Sequence, residues 1–178
     1  MDIGVVSVRY ARALLKSATE QKLEDAVYKD MLTLANSYVR VPQLRVTIDN
    51  PMLAKDSKKS LLLTACGEQS SPLTGRFIEL VLSEDRETIL QFMANSYITL
   101  YRQQKNIIRG RLITATAVSP ETEQKMRQMV ESRTKGTVEF ETEVKPEIIG
   151  GFVLEYDTYR MDASVKNRLQ TILQKLNK

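Results

Sequence analysis

Apolar residues change their spacing near Asn106, and that change excludes both a pure helical bundle and a pure sheet. Before it, Leu23, Ala26, Val27, Met31, Leu34, Ala35 and Tyr38 recur at steps of three and four, the period of an amphipathic helix. After it, Thr137 to Val144 alternates. Val138, Phe140, Thr142 and Val144 share one face, and Glu139, Glu141 and Glu143 share the other, as in a half-solvated strand. The expected fold is an all-α N-terminal bundle of about six helices over residues 1–106, followed by a small α/β C-terminal domain over residues 107–178.

Local signals divide these halves further. Ser7 to Thr19 lacks glycine and proline and reads as a first helix, and Pro42 ends the second. A short helix is expected from Pro42 toward Ile48, and Asn50-Pro51 marks a turn. Asp56 or Ser57 is expected to cap a helix that stops at Gly67. Ser71 at a cap and Pro72 at the first helical position open the fifth helix, which ends between Ser83 and Arg86. Ile89, Leu90, Met93, Tyr97, Leu100 and Tyr101 mark the sixth. Beyond the junction, Arg109 to Val118 reads as a strand, with Arg109 and Arg111 as solvated strand-edge charges. Ser119-Pro120 with Glu121 and Glu123 begins a helix that runs to about Gly136. Phe152–Tyr156 and Tyr159–Asp162 form an expected hairpin about Asp157-Thr158, and the final helix is expected to bury Val165, Leu169, Ile172, Leu173 and Leu176.

Composition narrows the chemistry. The chain has no histidine, so the commonest general base and metal ligand is missing, and histidine-activated nucleophiles are excluded. Cys66 is the single cysteine; it allows no internal disulfide and reads as a core residue. Catalytic, cofactor and metal residues are therefore expected to be none. The net charge of +4 divides evenly at residue 106, as 14 basic minus 12 acidic and then 12 minus 10, so a nucleic-acid footprint is not forced. No apolar run approaches the ~18 residues of a membrane span, and no secretory signal opens the chain, so a soluble cytoplasmic protein is expected. On residues alone, three readings stay open. They are a protein-binding module, a nucleic-acid-associated helical adaptor, and a carboxylate-dependent enzyme with an interdomain cleft.

Two helices carry more apolar surface than one core requires. On the first, Arg9, Arg12 and Lys16 fall in one narrow sector, while Tyr10, Ala11, Ala13, Leu14, Leu15 and Ala18 spread over roughly 200°. A helix facing one core needs a stripe only a little above ~100° wide. On the fifth, Leu73, Phe77, Leu80 and Val81 lie on one side, with Ile78 and Leu82 further round. Thorough burial inside the bundle is the plain alternative to a second contact surface.

Between Val144 and Leu169, the apolar residues Ile148, Ile149, Phe152, Val153 and Leu154 are broken by Gly150-Gly151. No lysine with serine or threonine stands beside the glycines, so they read as a bend with close backbone packing and not as a phosphate loop. Arg160, Asp162 and Arg168 follow, and Asp162 is expected to cap the last helix with an arginine paired to it.

The opening VSVRYARALL and the ending PEIIGGFVLEYDTYRMDASVKNRLQTI resemble the delta subunit family of bacterial F-type ATP synthases, counterparts of the mitochondrial oligomycin-sensitivity-conferring protein. The resemblance spans essentially the whole chain. It implies a non-catalytic stator part that joins the catalytic head to the peripheral stalk and resists rotor torque. Its partners would be the N-terminal helix of an alpha subunit and the peripheral-stalk b subunits. No nucleic acid is implied, and the cytoplasmic face of the inner membrane would be reached only through the complex. By this resemblance, Tyr10, Ala13, Leu73, Arg76, Phe77 and Leu80 lie at the alpha-helix groove, while Gly150, Gly151, Arg160, Asp162 and Arg168 shape the stalk-facing module.

Overall fold

The computed structural model describes residues 2–67, 69–134, 136–156 and 159–176. The chain forms two compact units, Met1–Gln103 and Gln104–Lys178.

The first unit is helical: α1 Ile3–Glu20, α2 Glu24–Arg40, α3 Pro42–Ile48, α4 Lys55–Cys66, α5 Pro72–Ser83 and α6 Leu90–Lys105, with a 3₁₀ turn at Glu87–Ile89. Helix α2 is the hub and touches α1, α3, α4 and α5. Its buried Val27, Met31, Leu34 and Tyr38 follow the helical period and face the core built with Leu62, Ile78, Leu90, Met93 and Tyr97. Ser71 caps α5 as expected, its side chain accepting from the Leu73 N–H at 3.4 Å, and Pro72 takes the first turn. The start of α4 differs from expectation. Its cap is Ala54, with no side-chain bond, and Asp56 sits inside the first turn, where the helix dipole favours a carboxylate. Helix α1 begins earlier than expected because Asp2 accepts the Gly4 N–H at 3.0 Å.

The second unit is a four-stranded sheet with two helices: β1 Ile107–Thr114, α7 Pro120–Thr134, β2 Thr137–Val144, β3 Phe152–Tyr156, β4 Tyr159–Asp162 and α8 Val165–Leu176. The strand order is β2-β1-β3-β4. Strand β1 pairs parallel with β2, across the α7 connection, and antiparallel with β3. Leu112, Val130, Val138 and Leu154 form the small core, with Met126, Met129, Phe140 and Met161 around it. The β3–β4 pairing fits the expected hairpin, while its Asp157-Thr158 turn lies outside the described residues.

Several expectations for this unit are corrected. Strand β1 stops at Thr114, short of Val118, because Thr114 Oγ1 turns back to donate to the Thr116 carbonyl at 2.8 Å. Arg109 and Arg111 are exposed, yet β1 is an interior strand, so they stand on the solvent face of the sheet and not at its edge. On β2 the alternation is incomplete: Val138 is buried, but Val144 at the far end is 49% exposed. Ile149 does not continue into a buried strand; it follows a 3₁₀ turn at Pro146–Ile148 with φ 68° and is 62% exposed. The largest correction concerns α8, which buries none of its residues. Val165, Leu169, Ile172, Leu173 and Leu176 are 39%, 47%, 54%, 58% and 76% exposed. Helix α8 meets the Pro146–Ile148 turn, whereas the core of the unit is filled from α7.

Candidate functional site: an apolar groove between α1 and α5

The spacing of apolar residues on α1 and α5 builds a groove from both sides. Tyr10, Ala13, Leu14 and Ser17 descend one face of α1 at steps of three and four, and Leu73, Arg76, Phe77 and Leu80 do the same on α5. Together with Arg9 they line a cavity of about 380 Å³. All six residues placed here in the sequence therefore face one groove: Tyr10, Ala13, Leu73, Arg76, Phe77 and Leu80. Leu73 and Phe77 are buried and form its floor, Tyr10 is half-buried, and Leu80 is 50% exposed. The bundle has not consumed this surface. Helix α1 buries Val6, Ser7, Ala11, Leu15 and Ala18, and its buried Leu14 also lines the groove. The surplus arc that remains is the groove wall.

The floor is rigid. The rings of Tyr10 and Phe77 meet edge to face, with centroids 6.4 Å apart and planes at 65°. The Arg86 guanidinium lies over the Tyr10 ring, 5.3 Å from its centroid. The N-terminus of α5 is fixed from below by buried Asp30 of α2, which accepts from the Ser71 N–H at 2.8 Å and from Thr74 Oγ1 at 2.6 Å. Sequence reasoning missed Arg9, Leu14, Ser17 and Arg86. Arg9 stands four positions from Ala13, and Leu14 and Ser17 stand four and seven from Tyr10, so all three were open to the same helical arithmetic. Arg86 lies in a turn, and no periodicity points to it.

Cys66 is buried near the foot of α4, and burial first, then the Asp30 charge, pushes its thiol up to about 12, so it is a neutral core group. Among the described residues, no group of three or more histidine, cysteine, aspartate or glutamate side chains could hold a metal. Among them, too, no helix is long and apolar enough to cross a membrane.

The glycine-rich segment of the second unit is structural. Gly151 has φ 76°, and a Cβ there would meet the Ala163 carbonyl oxygen at 2.3 Å. The backbone of β3 and the start of α8 thus close on each other through glycine, with the Val165 N–H donating to the Gly150 carbonyl at 2.9 Å. The cap of α8 differs from expectation. Ser164 is the capping residue, its Oγ accepting from the Asn167 N–H at 3.2 Å. Asp162 stands behind it and accepts from Ser164 Oγ at 2.6 Å and from Ser164 N–H at 3.0 Å. Those two hydrogen bonds, the side-chain one first, hold its carboxyl below the usual aspartate range. Arg160 pairs not with Asp162 but with Glu155 across the hairpin, at 3.3 Å. Arg168 contributes its backbone N–H to the Ser164 carbonyl at 3.2 Å.

Comparison with known proteins agrees with this architecture. The family described as ATP synthase delta (OSCP) subunit matches residues 6–176. The ATP synthase subunit delta of Phocaeicola vulgatus is 47% identical over 98% of this chain and 95% of its own length. That of Bacteroides fragilis is 41% identical over 98% and 95%. A chain of the Toxoplasma gondii mitochondrial ATP synthase hexamer shares the fold, with a TM-score of 0.66, 22% identity and 97% coverage of each chain. The chain belongs to the ATP synthase delta (OSCP) subunit family and is a structural, non-catalytic part of that complex.

Proposed function

We propose that this chain is a two-ended connector of the stator. The first unit grips the catalytic head by taking the N-terminal helix of an alpha subunit into the α1–α5 groove. The second unit receives the peripheral-stalk b subunits. The chain thereby sits at the cytoplasmic face of the inner membrane and reaches the membrane only through the complex. The observation that carries this reading is the groove itself. Its floor is apolar, its walls are two helices set at helical spacing, and Leu80 is half exposed along it. Such a surface fits an amphipathic helix laid in by its apolar face. The exposed stripe of α8, from Val165 to Leu176, supports the second grip.

A connector under torque must hold at both ends. Two linked contacts make the second binding event effectively intramolecular, so the pair holds far better than either alone. Membrane vesicles stripped of this subunit test the reading. Adding back the full chain is expected to restore ATP-driven proton pumping, while residues 1–106 alone bind the head and restore none. Restored pumping by that fragment would refute the two-ended connector.

A further inference from the structure

The turn after α5 does more than end a helix. The segment LVLSEDRET has no glycine, yet Asp85 adopts φ 52° in the left-handed region. The Asp85 N–H donates to the Leu82 carbonyl at 3.3 Å and the Arg86 N–H to the Val81 carbonyl at 3.0 Å. This pair of bonds is a Schellman cap closed by aspartate. The Asp85 carboxylate is held by Lys55 Nζ at 2.7 Å. The cap reverses the chain, and Arg86 comes to lie over Tyr10.

Arg86 meets no carboxylate within salt-bridge distance among the described residues, and neither do the groove arginines Arg9 and Arg76. The groove lining contains no acid at all. Of the neighbouring acids, Glu79 is engaged by Lys59 and Asp85 by Lys55. Two guanidinium groups without a carboxylate partner, Arg9 and Arg76, therefore line the apolar groove, and a third, Arg86, lies over the ring of its Tyr10.

We propose that this arginine set selects an amphipathic helix carrying carboxylates beside its apolar stripe, and that Arg86 is the specificity-determining residue. The proposal rests on the groove being the docking site. Arg86 acts twice. It packs over the Tyr10 ring, and it offers a charge to an acid on the incoming helix. Docking removes water from the face of Tyr10, which strengthens the attraction between ring and cation. Guanidinium is suited to this position because it stacks on a ring and still presents donors to a carboxylate. Charge matching of this kind sets partner choice more than total affinity.

The test uses the full chain and two synthetic peptides built on the N-terminal sequence of an alpha subunit. Both keep the apolar positions; the flanking positions are all glutamate in one and all glutamine in the other. At low salt the glutamate peptide is expected to bind about tenfold more tightly, and high salt removes the difference. Arg86→Gln is expected to cut that preference about threefold, and Arg86→Lys to restore part of it. Arg76→Gln, on the exposed side of α5, serves as a second variant should Arg86→Gln unfold the turn, and it too lowers the preference. Equal binding of both peptides at every salt concentration overturns the proposal and leaves the groove standing. A preference unchanged in both arginine variants overturns the roles given to these arginines. Binding of neither peptide defeats the groove reading, and the proposal with it.

Discussion

Asp30 of α2 and Thr74 of α5 are joined by a buried 2.6 Å hydrogen bond, and the same carboxylate accepts the Ser71 N–H at 2.8 Å. One side chain of the core thus fixes the start of the helix that forms a groove wall. Removing it leaves the Ser71 N–H and the Thr74 hydroxyl buried without their acceptor. Asp30→Ala is expected to destabilise the chain by about 2–3 kcal/mol. Urea unfolding measures this, and a loss below about 0.5 kcal/mol would contradict the assigned latch.

Gly151→Ala forces a methyl group into a left-handed backbone position and against the Ala163 carbonyl. The expected cost is about 2 kcal/mol or more, since both conformational strain and backbone displacement contribute. Thermal unfolding followed by amide signals of β3 and α8 reports it. Gly150 is less demanding: a Cβ there meets only the Val165 side chain, at 3.2 Å.

The surplus apolar arc on α1 and α5 was legible in the sequence, because it depends on local helical arithmetic. That Tyr10, Ala13, Leu73, Phe77 and Leu80 line a groove, and are not simply buried, came from the family resemblance carried by the two end motifs. Turn geometry was harder to read. Helix α1 ends through Lys22 at φ 56° and α5 through Asp85 at φ 52°, both without the glycine that usually marks such a cap. The position of Arg86 over Tyr10 follows from the second of these. Helix α8 failed for another reason. Its amphipathic stripe is strong, and a stripe announces that a face will be covered without saying by what.

That exposed stripe makes a direct prediction. Leu173→Glu on α8 removes nothing from the core, since Leu173 is 58% exposed. Its effect on the stability of the isolated chain is expected to stay within about 0.5 kcal/mol. If the stripe receives the stalk, binding to the b subunits falls at least about tenfold, a loss within the range of interface anchors. Analytical ultracentrifugation of the chain with the soluble part of b separates the outcomes. Unchanged association moves the stalk contact away from α8.

Cys66 supplies a pH test. Its folded thiol titrates near 12, raised by burial first and then by the Asp30 charge, while an unfolded cysteine titrates near ~8.5. A raised folded pKa contributes stability that is fully present below the unfolded value and is lost as pH rises toward the folded one. Stability should therefore begin to fall above pH ~8.5. Cys66→Ala should flatten this part of the profile. A thiol reagent at pH ~8 should modify Cys66 only as fast as the chain opens. Rapid modification of the native chain would show that the thiol is not enclosed.

The account depends most on the α1–α5 groove, and a peptide titration tests it most directly. The isotopically labelled chain is titrated with the N-terminal peptide of an alpha subunit, and amide shifts and affinity are recorded together. The account predicts shifts clustered on Tyr10, Ala13, Leu73, Phe77 and Leu80, with Tyr10→Ala weakening binding by about 2 kcal/mol. Shifts centred elsewhere on the bundle, or equal affinity for wild type and Tyr10→Ala, would contradict it.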